Sequence, residues 1–463
     1  MKKGDKLELF VEKLLFEGAG LARYEGMPVF IEGVAPQEKV LAQILSVNKN
    51  YAKAQLVEIL DASPSRVKPI CSMANICGGC CWQHVSYDEQ LRQKKQIVQE
   101  SIQKFAGENI EIKDVIPSPQ TTEFRHKIQY PISQTKVSKR ILAGYYKKNT
   151  HELVNIKHCP IQPVQINEIV EFIREEAKNC NVIGYDEAKH KGDLRHIVFR
   201  HSNSTNEILL IFVVNDLKLR KTVKALAQNV FNKYENVIGC LVNFNNRKTN
   251  SILGKEIQLV AGQDFYTEKI GDKVYQVSAG SFFQVNPNSA KNILDTVKTM
   301  ITERVQKPEI LDAYSGVGSF GIYLGDIAKS VVCVEDYPPA TADAIKNIEL
   351  NNYKNFEVLT GDASLHLENL KKAGKQFDVV IVDPPRKGLA PEAVKTSTQL
   401  SKNLIIYVSC NPTTLARDLK LFKEYGFKAQ YVQPVDMFCH TYHIENVVLL
   451  EKSNNIKCGL GET

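Results

Sequence analysis

No stretch of this sequence stays apolar long enough to cross a bilayer or to act as an export leader. Met1-Lys2-Lys3-Gly4-Asp5 opens straight into alternating polar and apolar residues. That absence gives the expectation of a cytoplasmic protein with no membrane partner. There is no repeat of solenoid period and no long low-complexity tract, which argues against a repeat array or a disordered chain. Charge of one sign is also scarce. Fifty-nine Lys+Arg against 52 Asp+Glu leave a formal +7, compatible with a phosphate-rich partner but too small to demand one. Nothing calls for a protein partner.

What remains is an average globular composition, 43% hydrophobic and 24% charged, in a 463-residue chain too long for one core. Residues 1–60 alternate in short strands punctuated by Gly18-Ala19-Gly20, the pattern of a small barrel of the oligonucleotide-binding (OB) type. Asp61-Ala62-Ser63-Pro64-Ser65 has a linker's composition. Residues 68–278 form an α+β middle domain, with a strand over 207–214 and an amphipathic helix over 218–232; within it, 89–118 is free to pack with the C-terminal domain. Residues 279–463 alternate helices with apolar runs such as Ile310-Leu311-Asp312-Ala313, Val379-Val380-Ile381-Val382 and Leu404-Ile405-Ile406-Tyr407-Val408. Such runs are the mark of a parallel sheet covered on both faces, a doubly wound, Rossmann-like α/β domain.

The first of those strands ends in Asp312-Ala313-Tyr314-Ser315-Gly316-Val317-Gly318-Ser319-Phe320. This loop lacks the third glycine of G-x-G-x-x-G and contains an acid, which argues against a bound pyrophosphate. With Glu335, Asp362 and Asp383 at the ends of the next three strands, Asp312 completes a ring of carboxylates suited to a cationic, polyhydroxylated cofactor without phosphate, such as S-adenosylmethionine. The fifth strand runs into Ser409-Cys410-Asn411-Pro412, so the chain turns just after a thiol placed at the strand's mouth beside Asp383-Pro384-Pro385-Arg386. A thiol there suits methyl transfer to a weakly nucleophilic carbon. Addition to C6 of a uracil supplies electron density to C5, and a base then removes the C5 proton. His440, His443 and Glu445 all lie at the right place for that base, and spacing does not choose among them.

Cys71-x5-Cys77-Gly78-Gly79-Cys80, with the remote Cys159, has the three-plus-one spacing of an iron–sulfur ligand set, with zinc as the alternative. The spacing is not C-x3-C-x2-C, so the reading is of a structural cluster. Cys81 competes with Cys80 as the third close ligand, and the Gly-Gly pair favours Cys80.

Taken together these residues resemble the RNA uracil-5-methyltransferase family, in the branch of 23S ribosomal RNA enzymes that carry a TRAM domain and an iron–sulfur cluster. The resemblance spans essentially the whole chain. It includes the N-terminal barrel, the four cysteines, Ser281-Phe282-Phe283-Gln284-Val285-Asn286, Asp312 to Phe320, Asp383-Pro384-Pro385-Arg386, Ser409-Cys410-Asn411-Pro412 and His440-Thr441-x-His443-x-Glu445. It implies that Gln284, Tyr314, Glu335, Asp362 and Asp383 contact S-adenosylmethionine. It further implies that Cys410 is the nucleophile, that Glu445 is the base, and that Cys71, Cys77, Cys80 and Cys159 hold a 4Fe–4S cluster. Phe124-Arg125-His126-Lys127, with Arg195, His196 and Arg200, resembles an RNA-contacting set; Ser319, His126 and Cys439 depart from the family's usual Asn, Asn and Pro. Competing readings are a transfer RNA uracil-5-methyltransferase, an amino-group methyltransferase, and an inactive RNA-binding iron–sulfur assembly factor.

Overall fold

The computed structural model describes residues 1–107, 109–216, 218 and 221–453. Strands β1 (Lys6–Leu14), β2 (Gly20–Tyr24), β3 (Met27–Glu32), β4 (Lys39–Val47) and β5 (Ala52–Asp61) close a barrel in the order β1-β2-β3-β5-β4. Alternation does the closing. Leu9 and Val11, Val29 and Ile31, Val40, Ala42 and Ile44 all point inward, with polar residues between them.

An irregular segment with Cys71, Cys77, Cys80 and Trp82 leads into α1 (Tyr87–Ala106) and the short β6 (Glu111–Ile112). Trp82, the one tryptophan of the chain, is fully buried between the barrel and α1, among Leu14, Ala35, Val85 and Ile97. Its indole nitrogen donates to the Gly18 carbonyl at 3.1 Å. Burying an aromatic of this size at a junction supplies apolar area and one directional bond together.

The middle domain contains β7 (Lys127–Gln134), β8 (Ile141–Tyr146), β9 (Leu153–Asn155), α2 (Val164–Asn179), β10 (Leu194–His201), β11 (Ile208–Val214), α3 (Lys221–Lys233), β12 (Val237–Phe244) and β13 (Glu256–Gly262). The helix expected over 218–232 is α3; residues 219 and 220 lie outside the described residues. The seven strands form one sheet in the order β13-β12-β11-β10-β7-β8-β9. All of β11 is buried because the sheet is covered twice. Leu210 and Phe212 face α2 and α3, while Leu209, Ile211 and Val213 join the core of the C-terminal domain.

The hairpin of β14 (Phe265–Ile270) and β15 (Lys273–Ser278) packs on that second core. It is followed by α4 (Pro287–Thr302), β16 (Glu309–Ala313), α5 (Ser319–Leu324), β17 (Ser330–Glu335), α6 (Pro338–Leu350), β18 (Phe356–Thr360), α7 (Ala363–Lys372), β19 (Phe377–Val382), α8 (Pro391–Leu400), β20 (Ser401–Ser409), α9 (Pro412–Glu424), β21 (Phe427–Val435) and β22 (Glu445–Lys452). The eight-stranded sheet runs β18-β17-β16-β19-β20-β22-β21-β6. Successive residues of its central strands feed opposite cores, Val379 and Ile381 one way, Val380 and Val382 the other, which is why these strands read as unbroken apolar runs. The strand order reverses between β16 and β19, and an open crevice is expected at the carboxyl ends there. Helix α1 packs on α9, and β6 extends the sheet beside β21, so both elements are built into the C-terminal domain.

Candidate functional site

Two groups of side chains meet at that edge. In the first, Asp312 is fully buried at the end of β16, where its Oδ2 accepts from the Gly321 amide at 2.8 Å and its Oδ1 is buried without a partner. Burial, and then the charges of Asp383 and Glu335, push the Asp312 carboxyl up to about 7. Tyr314 adopts φ +64°, unusual for a side-chain-bearing residue, and Gly316 and Gly318 follow at φ +57° and +82°. This left-handed run turns the chain sharply into α5. Glu335 accepts from the amides of Gly316 (3.0 Å) and Tyr337 (2.9 Å), locking the ends of β16 and β17 together. Asp362 caps α7 through the Leu365 amide (2.9 Å) and is exposed; burial and then its charge raise the Tyr314 hydroxyl.

Gln284 is half-buried in the loop between β15 and α4. Ser278 and Ser281 fix this loop to Asp343 of α6, each with a 2.5 Å hydroxyl bond. The loop leaves Phe282 58% exposed, with the Lys127 ammonium 5.5 Å from its ring. Burial, then Arg200 and Arg125, lower Lys127 to about 7. The other expected RNA contacts are differently placed. Arg195 and Arg200 are buried in the middle sheet, and Arg195 donates to the Arg247 carbonyl at 3.0 Å.

The second group is set by strand register. Strands β20 and β22 are antiparallel with Ser409 opposite Asn446, so the next pair outward at the mouth is Cys410 and Glu445. Asn446, fully buried, donates to the Ser409 carbonyl at 3.1 Å and fixes that register. The loop of Asp383 to Arg386 closes the third side. Asn411 and Thr414 both donate to the Arg386 carbonyl at 3.3 Å. Burial, and then the charges of Glu445 and Asp383, push the Cys410 thiol up to about 12, with Arg386 opposing them. Burial and Asp383 also raise Glu445 well above the usual carboxylate range, and burial raises Asp383 to about 7. Both ring nitrogens of His440 are engaged, Nε2 with the Thr121 carbonyl (2.9 Å) and Nδ1 with Gln90 (3.3 Å). His443 lies against Tyr442 at 4.3 Å between centroids, and burial, then Arg386, lower it to about 4. Arg386 belongs to the site although the sequence offers only its motif; its guanidinium lies within electrostatic reach of Cys410, Glu445 and His443.

Far earlier in the chain, Cys77 and Cys80 pack with Cys159 in one apolar cluster, and Cys71 lies within electrostatic reach of Cys77 and Cys159. The Cys71 sulfur accepts from the Met73 amide and the Cys77 sulfur from the Gly79 amide, each at 3.4 Å, and the Cys71 amide donates to Gln83 Oε1 at 3.0 Å. Cys81 instead points toward Gly18 of the barrel. Among the described residues, no three His, Cys, Asp or Glu side chains converge closely enough to hold a single metal ion. No described helix is long and apolar enough to cross a membrane.

Comparison with known proteins places this geometry. Residues 86–453 match the family model described as tRNA (uracil-5-)-methyltransferase, and residues 1–57 match the TRAM domain. A protein of Halalkalibacterium halodurans described as an uncharacterized RNA methyltransferase is 34% identical, over 98% of each chain. One of Listeria innocua with the same description is 36% identical, over 97% of this chain and 98% of its own. The crystal structure of Pyrococcus abyssi tRNA (uracil-54, C5)-methyltransferase in complex with S-adenosyl-L-homocysteine superposes with a TM-score of 0.75 at 30% identity, covering 96% of this chain and 99% of that one.

The raised acids predict a pH signature. A carboxyl at about 7 when folded and at its ordinary 3.8 when unfolded favours folding fully below about pH 4, and that contribution is lost as pH rises through 7. Asp312→Asn is therefore expected to match the parent protein in thermal stability near pH 4 and to exceed it by on the order of a few kcal/mol near pH 8. Calorimetry across that range tests this, and a difference that does not grow with pH contradicts it. By its full-length match, the chain belongs to the tRNA (uracil-5-)-methyltransferase family of RNA methyltransferases, joined to an N-terminal TRAM domain.

Proposed function

We propose that this protein transfers a methyl group from S-adenosylmethionine to carbon 5 of a uracil in RNA, with Cys410 as nucleophile and Glu445 as general base. The observation that carries this is the β20–β22 register, which sets a thiol opposite a buried carboxyl at the mouth of the crevice. S-adenosylmethionine, when bound, supplies the methyl group as a sulfonium and is left as a neutral thioether. The unpartnered Oδ1 of Asp312, in a crevice otherwise ringed by acids, fits a cationic ligand with hydroxyl and ammonium donors. Gln284, Tyr314, Glu335, Asp362 and Asp383 would hold it.

Cys410 gives its proton to water, and the thiolate adds to C6, forming a C–S bond as the C5–C6 double-bond electrons move onto the C4 oxygen to give an enolate. C5 then takes the methyl group, Glu445 removes the C5 proton, and the C–S bond breaks to restore the ring. With Asp383 paired to a cation, its repulsion of both the thiolate and the Glu445 carboxylate is cancelled, so Cys410 and Glu445 each release a proton more readily as the site fills, and Glu445 is then free to accept the C5 proton. Glu445 is the better base than His440, both of whose ring nitrogens are committed. The uracil has to leave its stack to reach this depth. Phe282, with Lys127 beside it, offers a stacking surface at the entrance. An amino-group methyltransferase would have no use for Cys410.

We assign the RNA to 23S ribosomal RNA, on the strength of the barrel and the cysteine segment together. The second reading is transfer RNA, favoured by the likeness to the Pyrococcus enzyme over 96% of this chain. For the cysteines we propose a 4Fe–4S cluster on Cys71, Cys77, Cys80 and Cys159. What supports this reading is that Cys77, Cys80 and Cys159 pack in one cluster with Cys71 within electrostatic reach of Cys77 and Cys159, the three-plus-one set that such a cluster uses.

With 23S ribosomal RNA and transfer RNA transcripts containing 5-fluorouridine, the protein and cofactor should form a covalent complex that survives denaturation, because fluorine at C5 cannot leave as a proton. Cys410→Ala should form none, and Glu445→Gln should turn over ordinary RNA about 10²- to 10⁴-fold more slowly. Methylation by Cys410→Ala at the parent rate contradicts the mechanism, and a complex with only one of the two RNAs identifies the substrate. After anoxic purification, iron and acid-labile sulfide should be present in equal amounts and fall together in Cys159→Ala. Zinc without sulfide contradicts the cluster.

A further inference from the structure

The segment that delivers Glu445 to the site is the loop of residues 436–443, and its conformation is not one the chain adopts freely. His440 sits at φ +63°, a backbone state that costs a side-chain-bearing residue on the order of 1 kcal/mol or more and persists only where its surroundings impose it. The surroundings come from far away in sequence. The His440 amide donates to Gln90 Oε1 at 2.8 Å, and the Gln90 side-chain nitrogen also reaches the Val85 carbonyl (2.8 Å), the Trp82 carbonyl (3.1 Å) and the His440 ring (3.3 Å). The His440 carbonyl accepts from the amides of Cys81 and Trp82 at 3.0 and 2.9 Å.

One turn along α1, Lys94 donates to Asp436 Oδ1 (2.7 Å) and to the Phe438 carbonyl (3.0 Å), and both ends of this ion pair are fully buried. The Tyr87 hydroxyl donates to Asp436 Oδ2 at 2.9 Å and accepts from the Ser118 amide at 2.8 Å. A fully buried ion pair repays its desolvation only with good geometry and further hydrogen bonds, supplied here to Asp436 by the Phe438 amide and the Tyr87 hydroxyl.

We propose that Gln90 and Lys94 of α1 are positioning residues for Glu445, holding the 436–443 loop so that the carboxyl meets the C5 proton, and that the Cys80–Trp82 segment is part of the same clamp. The inference rests on the reading of Glu445 as the base. A base displaced by about 1 Å loses on the order of 10²-fold in rate, while the nucleophile, carried on a different strand, is untouched. The clamp therefore acts on one half of the reaction. With it loosened, addition to C6 and methyl transfer proceed, and the methylated adduct waits for its C5 proton to be removed.

The test uses the full chain with ordinary, unfluorinated RNA and S-adenosylmethionine. Glu445→Gln should accumulate a methylated Cys410–RNA adduct on a denaturing gel. Gln90→Leu should accumulate the same adduct, with kcat down about 100-fold and KM for RNA within about twofold of the parent. Tyr87→Phe, which removes a single hydroxyl, should show the same change to a smaller degree and decides in the same terms if Gln90→Leu does not fold. Parent turnover without adduct overturns the inference, as does loss of adduct formation in step with turnover. If Glu445→Gln itself accumulates no adduct, the base assignment falls and the clamp's role falls with it. If only Gln90→Leu and Tyr87→Phe accumulate none, the base assignment stands and the positioning role alone is wrong.

Discussion

Two buried carboxyls, Asp312 and Glu445, and the half-buried Asp383 and Cys410 at one sheet edge disfavour one another's charged forms, and the architecture around them is the means of holding them there. Cys410, Glu445, Asp383 and Asp312 are all kept on the protonated side of their ordinary ranges, chiefly by burial. Groups held this way ionise more readily only when a cation offsets their mutual repulsion. That arrangement needs rigid support. It comes from the β20–β22 register, from the left-handed turn at Tyr314 to Gly318, and from the 436–443 loop.

The support is spread over all three parts of the chain. The barrel reaches the loop through Phe16, whose ring meets Tyr442 edge-on at 5.0 Å. The cysteine segment reaches it through two backbone amides on the His440 carbonyl, and α1 through Gln90 and Lys94. The middle sheet shares a continuous apolar core with the hairpin and with α4. The barrel, the cysteine segment and α1 thus all bear on the one loop that precedes Glu445.

Much of this was legible in the sequence where a local pattern carries the signal. The C-terminal strands announce themselves because burial on both faces leaves no polar residue in a run such as Val379 to Val382. The barrel shows by alternation, and the site's acids and thiol by standing at strand ends before a turn. The features that were not legible depend on partners distant in sequence. Gln90 and Lys94 read as ordinary polar residues of a helix, and only their burial on the same face as Ile97 and Val98 separates them from a solvated surface. Asp362 is both a helix cap and a member of the acid ring, two roles with one sequence signature. Arg195 and Arg200 looked like surface cations and are interior ones, because the middle sheet is covered on both faces and strand residues that would face solvent do not.

Methyl transfer to C5 through a Cys410 adduct turns on the fate of one hydrogen. RNA prepared with uridine carrying deuterium at C5, incubated with the protein and S-adenosylmethionine and digested to nucleosides, should yield by mass spectrometry a methylated uridine that has gained one methyl group and lost its deuterium, with the methyl on carbon 5. A product that keeps the deuterium, or a methyl group on nitrogen or on another base, would contradict it.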